Sequence, residues 1–148
     1  MWRFLLLFPV LLAAVAAGPA SAEVLISREE AALPPSNAPA TPGPVRGVSR
    51  PPLALLEQKR EKAPTSPLTF KVKFVSYGGT KIDPAATRVT YLKNPLVDLT
   101  PRLQRYIQAT GIDMPNAEIP PGEHPIMVEL TDSNGHTAAS VLTLVVGR

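Results

Sequence analysis

Aliphatic residues spaced two apart over the last third of the chain constrain its fold most. Ile126, Val128 and Leu130 lead into the segment DSNG (132–135). Asp at the first position and Gly at the fourth favour a type I turn with the glycine in the left-handed region. A three-residue loop then predicts a hairpin with three facing pairs: Leu130 and Ala138, Val128 and Ser140, and Ile126 and Leu142. This register buries the most apolar surface, so the pattern predicts a β-hairpin with one buried face.

The same two-residue period begins at Leu68. In LTFKVKF (68–74) apolar residues alternate with Thr69, Lys71 and Lys73, which predicts a strand with one buried face. Lys71 and Lys73 project from the other face, where they could contact an acidic partner or discourage edge-to-edge aggregation. Two glycines at 78 and 79 predict a turn before a second strand. The predicted core consists of Phe70, Phe74, Tyr91, Leu103, Val128 and Leu142.

A short helix is predicted between the strands. Thr100 followed by Pro101 is a helix start signal, and Gly111 is a stop signal. Arg102 and Arg105 face away from the apolar stripe of this helix, so the pair could bind an anionic group. Prolines at 115, 120 and 121 leave residues 117–119 as at most an edge strand.

The first 22 residues have the form of an export signal. Arg3 precedes an apolar run at 4–17, and Ala20 and Ala22 are small residues that a signal peptidase accepts. The run is shorter than the roughly twenty residues that a membrane-spanning helix needs. The sequence therefore predicts a signal peptide at 1–22 and no stable membrane span after its cleavage. It predicts a periplasmic or secreted protein of a bacterial envelope.

Proline concentrates between the signal and the first strand. Nine of the 18 prolines lie within 34–67, which predicts a flexible, disordered Pro-rich leader at 23–67 and a folded domain at 68–148. Within the leader, good helix formers at 53–63 predict a partly helical linker. Ser27 with Glu30 matches a capping box that can start a helix of one or two turns.

Residues 23–32 combine aliphatic and charged side chains. This stretch is interpreted as a recognition element that gains order on a partner, as a strand added to the domain edge, or as a tail without a role. The candidate partner-contact residues are Val24, Leu25 and Ile26 of this stretch, together with Lys71, Lys73, Arg102 and Arg105.

Composition argues against several functions. The chain has no cysteine, so it has no disulfide, no thiolate metal site and no cysteine nucleophile. A formal charge of +3 is too small for a nucleic-acid surface, which needs clustered Lys and Arg with interleaved aromatic residues. No nucleophile elbow, zinc-protease or phosphate-loop motif occurs. These observations predict a non-enzymatic protein without a cofactor and without a nucleic-acid partner.

Two stretches carry a resemblance to a known family. The stretch IPPGEHPIMVELTDSNGHTAASVLTLVV (119–146) resembles the final hairpin of bacterial immunoglobulin-like and fibronectin type III-like modules. It shares their Pro-Gly entry, Asp-x-x-Gly turn and closing strand, and IDPAATRVTYL (82–92) is similar to an early strand pair. The resemblance implies a small β-sandwich that serves as a spacer, adhesion or binding module and has no catalytic residues. The helix predicted at 100–111 stands where the family has strands.

The turn at 133–136 also resembles that of small periplasmic copper-resistance proteins of the C type, in which a Ser-x-Asp-Gly-His turn binds copper. His136 matches, but Asn134 replaces the acidic ligand, and Glu23 stands where that family presents an N-terminal histidine. The sequence thus favours an exported, non-enzymatic binding module of the cell envelope, whose partner is an envelope protein or a glycan. The alternative is a small copper-handling protein.

Overall fold

Two β-sheets pack over one hydrophobic core in the computed structural model, which describes residues 21–37, 50–58 and 62–148. The strands of these residues are, in chain order, β1 (Glu23–Val24), β2 (Leu53–Leu56), β3 (Leu68–Val75), β4 (Arg88–Tyr91), β5 (Val97–Asp98), β6 (Ile107–Gln108), β7 (Gly111–Glu118), β8 (Gly122–Thr131) and β9 (Thr137–Val146). The first sheet has the order β1-β7-β3-β2, with β6 also paired to β7, and the second has the order β5-β4-β8-β9. The predicted mainly-β fold with two sheets is confirmed.

In the residues that the structure describes, helical structure is confined to short segments. They are α1 (Arg28–Ala31), α2 (Thr100–Leu103) and the 3-10 turns Pro84–Ala86 and Gln104–Tyr106. Within the described ranges, no helix is both long enough and apolar enough to cross a membrane. Residues 1–20 of the predicted signal peptide and 38–49 of the predicted leader lie outside the described residues.

The predicted C-terminal hairpin is confirmed in its strands and its register. β8 pairs antiparallel with β9, and the three predicted pairs face each other: Leu130 and Ala138, Val128 and Ser140, and Ile126 and Leu142. Gly135 has a φ of 81°, which is the left-handed conformation that glycine adopts most easily. Asp132 closes the turn, because its Oδ1 accepts hydrogen bonds from the N–H groups of Asn134 and His136 at 2.9 and 3.0 Å.

The core contains every residue that the sequence predicted for it. Relative exposure is at most 9 % in the predicted set of Phe70, Phe74, Tyr91, Leu103, Val128 and Leu142. β3 alternates as predicted, with its apolar residues inward and Thr69, Lys71 and Lys73 exposed on the outer face. The two-residue period of the sequence is therefore the period of burial.

β7 corrects the prediction that the prolines leave only an edge strand at 117–119. This strand has eight residues and lies between β1 and β3 in the first sheet. Its register against β3 shifts, since Leu68 faces Ala117 whereas Phe70 faces Met114. The extra residue forms a bulge at Pro115 and Asn116, where a missing N–H donor is tolerated.

The predicted helix over 100–111 is confirmed only as far as Tyr106. Ile107 and Gln108 instead pair with Ile112 and Gly111 as strands β6 and β7. The chain passes so close to β3 here that a Cβ on Gly111 would collide with the carbonyl oxygen of Val72. Sheet pairing therefore ends the helix earlier than the glycine signal indicates.

Segments before Leu68 also belong to the sheets, which corrects the expectation of a leader separate from the domain. β1 pairs in parallel with β7, and β2 pairs antiparallel with β3 so that Ala54 faces Phe74. The helix predicted over 53–63 is wrong for Leu53–Leu56, because pairing with β3 buries Ala54 and overrides helix propensity. Residues 59–61 of that prediction lie outside the described residues.

A buried polar pair, Tyr91 and His124, lies in the second sheet. Relative exposure is 0 % for Tyr91 and 2 % for His124. His124 Nε2 lies 2.7 Å from the carbonyl oxygen of Pro120, and Nδ1 lies 2.9 Å from the Tyr91 hydroxyl. Because a carbonyl oxygen only accepts, Nε2 carries the proton and Nδ1 accepts from Tyr91. Burial lowers the pKa of His124 and raises the pKa of Tyr91 to about 12.

This pair predicts a dependence of stability on pH. Below the ordinary histidine pKa of about 6.5, the unfolded chain binds a proton that the folded chain resists. The resistance arises because burial lowers the pKa of His124 in the folded state. The free energy of unfolding should therefore fall as pH drops from about 7.5 towards about 5, the range in which histidine titrates. Urea unfolding across this range measures the slope. His124→Gln should remove most of it, and a wild-type stability that is constant with pH would contradict the assignment.

The burial of Phe70 predicts how much a cavity in the core lowers the free energy of unfolding. Phe70 is 1 % exposed, so Phe70→Ala should lower the free energy of unfolding by about 3 to 5 kcal/mol. Leu55, which is 45 % exposed, provides the control, and Leu55→Ala should stay within about 0.5 kcal/mol of wild type. Urea unfolding of the three proteins makes the comparison. A wild-type unfolding curve for Phe70→Ala would show that the faces of β3 are assigned the wrong way round.

Candidate functional site

Residues 23–35, here called the N-terminal segment, dock on one side of the sandwich. Glu23 faces Ala117 and Val24 faces Glu118 in the parallel pairing of β1 with β7. The Leu25 N–H then donates to the Glu118 carbonyl oxygen at 3.0 Å. At the other end of the segment, Pro35 forms an antiparallel bridge with Lys93. Of the three interpretations of this stretch, the structure contains the strand added to the edge of a sheet.

Leu25 and Ile26 anchor the segment in the core. Their relative exposure is 0 % and 1 %, whereas Val24 is 47 % exposed. The expectation that Leu25 and Ile26 contact an external partner is therefore corrected, because both side chains fill the hydrophobic core of their own chain. Val24 is the exposed member of the predicted trio.

Helix α1 orients a carboxylate. The predicted capping box is present, since Ser27 Oγ accepts from the Glu30 N–H at 3.1 Å and Glu30 Oε2 accepts from the Ser27 N–H at 2.9 Å. This reciprocal pair fixes the first turn of the helix. It also fixes the Glu30 side chain at the position where Arg102 reaches it.

Arg102 holds the segment with three hydrogen bonds. Its Nη2 lies 2.6 Å from Glu30 Oε1, and its Nη1 lies 2.8 Å from Glu30 Oε2. Nη1 also donates to the Leu25 carbonyl oxygen at 2.8 Å. A planar guanidinium matches a carboxylate in this two-pronged way. Hydrogen bonding to Arg102 lowers the pKa of Glu30, and the same contact raises the pKa of Arg102.

Glu23 is bound beside this pair. The Tyr106 hydroxyl donates to Glu23 Oε2 at 2.8 Å, and Arg105 forms an ion pair with the same oxygen. Hydrogen bonds from Tyr106 and Arg105 lower the pKa of Glu23. Lys93 Nζ donates to the carbonyl oxygen of Ala31 at 3.0 Å. Four residues thus hold the segment through their side chains, and we call them the clamp: Lys93, Arg102, Arg105 and Tyr106.

The clamp shows what the sequence indicated and what it did not. Arg102 and Arg105 do bind anionic groups, as the pattern suggested, but the carboxylates belong to the same chain. No binding role was predicted for Lys93 or Tyr106, and Glu23 and Glu30 were predicted only as members of the 23–32 stretch, with Glu30 also in the capping box. The available signal was the spacing of two glutamates around an aliphatic pair, opposite two arginines three residues apart.

Lys71 and Lys73 lie on a different surface, the outer face of β2 and β3. Leu55 faces Lys73 across the strand pair, and Leu53 and Leu55 are 38 % and 45 % exposed. Lys71 Nζ lies 3.6 Å from a carboxylate oxygen of Glu57, in an exposed pair. In the part of the chain that the structure describes, Lys73 forms no ion pair. We call Leu53, Leu55, Lys71 and Lys73 the leucine–lysine face.

Polar and cationic groups border this face on two sides. A shallow cleft of about 360 Å³ lies beside Lys71 and Lys73, and its polar lining includes Gln108, Thr110 and Asp113. Near the beginning of β2, the Arg50 guanidinium stacks 4.1 Å above the centre of the Tyr77 ring. Apolar, cationic and hydrogen-bonding groups therefore lie side by side on an exposed sheet surface.

The hairpin tip uses its acidic residue and its histidine to close the turn. His136 Nδ1 lies 3.1 Å from Asp132 Oδ2, while Asp132 Oδ1 accepts two backbone N–H groups. These backbone and side-chain hydrogen bonds outweigh burial and lower the pKa of Asp132. Across the described ranges, no group of three or more His, Cys, Asp or Glu side chains is placed to hold a metal ion.

Comparison with known protein families, with curated proteins and with solved structures gave no match. By its fold, the protein is mainly β, with two packed sheets and a surface of exposed leucines and lysines on the first sheet.

The clamp predicts which part of the chain opens first when Arg102 is removed. Arg102→Ala loses hydrogen bonds to Glu30 and to the Leu25 carbonyl oxygen, and such charged contacts are worth about 1 to 2 kcal/mol in total at a partly buried site that solvent still screens. Hydrogen exchange measured by mass spectrometry should accelerate in residues 23–32 and stay slow in β8 and β9. Arg102→Lys keeps the charge without the two-pronged geometry, so it should give intermediate exchange. Wild-type exchange of residues 23–32 in Arg102→Ala would contradict the role of the clamp.

Proposed function

We propose that the protein is an exported, non-enzymatic interaction module of the cell envelope and that it binds a partner protein through the leucine–lysine face. The observation that carries this proposal is the exposure of Leu53 and Leu55 beside Lys73. Apolar side chains that remain exposed within a charged rim are typical of interaction surfaces. The export signal supports an envelope location, and the resemblance to immunoglobulin-like and fibronectin type III-like modules supports a role in binding.

The partner that fits this face is a polypeptide segment with apolar side chains and carboxylates. Leu53 and Leu55 are alternate residues of one strand, about 7 Å apart, which is the spacing of same-face side chains in an extended peptide. Lys73 faces Leu55 across the strand pair, and Arg50 lies three residues before Leu53 in the chain, so both can contribute positive charge. The leucines need an apolar counterpart to gain free energy on binding, which favours a protein over a glycan.

The position of the face leaves it accessible. β2 and β1 lie at opposite edges of the first sheet, so the docked N-terminal segment does not cover Leu53 or Leu55. The ion pair between Lys71 and Glu57 is exposed, and exposed pairs contribute little stability. Lys71 can therefore exchange Glu57 for a carboxylate of the partner at small cost.

Site-specific photo-crosslinking tests this function in intact cells. A photoreactive amino acid at Leu55 should capture the partner, whereas the same amino acid at Leu96 should not. Leu96 is the matched control because it is 53 % exposed and lies outside the leucine–lysine face. Capture from position 55 should be lost when Lys73→Glu is added.

Affinity measurements with the captured partner complete the test. Lys73→Glu should weaken binding at least about tenfold, because it replaces an attractive charge by a repulsive one. Lys81→Glu makes the same charge change at another exposed lysine and should bind as wild type does. Raising the salt concentration should weaken the wild-type complex. Equal capture from positions 55 and 96, or equal affinities of the two lysine variants, would place binding elsewhere and overturn the proposal.

A further inference from the structure

We infer that the N-terminal segment is exchangeable between two copies of this chain. In the exchanged dimer, residues 23–35 of each copy dock on β7 and the clamp of the other copy. The partner for this surface is therefore a second copy, which supplies Glu23, Leu25, Ile26 and Glu30 to a site that is incomplete without them. The inference is independent of the leucine–lysine face.

The contacts of the segment lie on a restricted part of the sandwich. Its hydrogen bonds and ion pairs reach Glu118 on β7 and the clamp, and Pro34 accepts a hydrogen bond from the Asn94 N–H at 2.9 Å. Within the described ranges, none of the hydrogen bonds or ion pairs of residues 23–35 reaches β2, the strand that the chain forms next. A second copy can thus provide every one of these contacts without change.

The chain between the segment and β2 is long enough for either arrangement. The segment ends beside Lys93, which forms a bridge with Pro35, and the described chain resumes at residue 50, three residues before β2. Residues 37 and 50 are separated by 13 steps along the chain, and 13 residues can span up to about 43 Å. The connection therefore does not force the segment onto its own sandwich.

The docked site is selective for this sequence. It combines two buried aliphatic side chains, Leu25 and Ile26, with carboxylates on either side that meet Arg102 and Arg105. Domain swapping conserves all native contacts and is a low-cost route to dimers. The segment of the same chain competes through its high effective concentration, so the fraction of dimer should rise with protein concentration.

Charge reversal on the two sides of one ion pair tests the exchange. Glu30→Arg and Arg102→Glu each place like charges together when the segment docks on its own sandwich. In an equimolar mixture of the two variants, an exchanged heterodimer pairs opposite charges at both of its sites. Native mass spectrometry and sedimentation should show a 1:1 heterodimer in the mixture and mostly monomer in each variant alone. The double variant Glu30→Arg with Arg102→Glu restores pairing within one chain and is the matched control.

A mixture that contains only folded monomers would overturn the inference. A second measurement answers the question if either charge variant fails to fold. The chain has no cysteine of its own, and Val24 faces Glu118 in the sheet with both residues exposed. A chain with Val24→Cys and a chain with Glu118→Cys, mixed and oxidised, should form a disulfide-linked heterodimer. The chain with both substitutions controls for disulfide geometry by forming the bond internally. If that bond forms while the mixed single variants stay unlinked at high concentration, no exchange occurs.

Discussion

Burial of apolar side chains between the two sheets is the interaction on which the rest of the structure depends. The chain has no cysteine, so no disulfide limits the unfolded state. The core instead recruits residues from both sheets and from segments far apart in sequence, including Leu25, Ile26 and Ala54. These three residues come from the part of the chain that the sequence predicted as a leader, 23–67. A sandwich built only from residues after Leu68 would lack β1 and β2 and would expose one edge of β7 and one edge of β3.

Different contacts cover the two edges of the first sheet. On one side the N-terminal segment pairs with β7 through two strand residues and is held by the clamp. On the other side β2 lies beside β9, and side chains bridge the strand edges. Gln58 bonds through its amide to both the N–H and the carbonyl oxygen of Val145, and Ser140 Oγ accepts from the Ala54 N–H at 3.1 Å. These side chains satisfy backbone groups that would otherwise offer a template for aggregation.

The sequence predicted the parts of the fold that local patterns determine. The C-terminal hairpin, the faces of β3, the capping box at Ser27 and the predicted core residues follow from two-residue periods and turn chemistry, and the structure contains all of them. It did not predict features that depend on distant pairing. Pro115 argued against a long β7, yet a bulge accommodates it, and the helix formers at 53–56 form a strand because β3 pairs with them. Tertiary contacts override weak local preferences in such cases.

The candidate site shows the same difference between local patterns, which the sequence reveals, and distant pairing, which it does not. Arg102 and Arg105 were identifiable as a pair that suits an anion, because helical spacing is local. Their partners, Glu30 and Glu23, lie 72 and 82 residues away in sequence, and no local pattern connects groups at that distance. Leu25 and Ile26 were predicted to contact a partner because no local pattern connects them with the distant core in which they lie. Aliphatic side chains between charged ones are equally suited to a binding surface and to a docked strand.

The N-terminal segment makes the same contacts whether it docks on its own chain or is exchanged with a second copy. An undocked segment exposes Leu25 and Ile26 and leaves the clamp without its carboxylates, so some copy of the segment must fill each site in a stable protein. Exchange meets this requirement as well as docking within one chain does, because it conserves the contacts. The leucine–lysine face lies at the opposite edge of the first sheet and stays open in both forms. An exchanged dimer would thus present two such faces on one particle, and a partner with repeated binding segments would be held by both. Two linked sites raise the apparent affinity without any new contact, so the concentration of this protein would regulate how tightly the same surface binds.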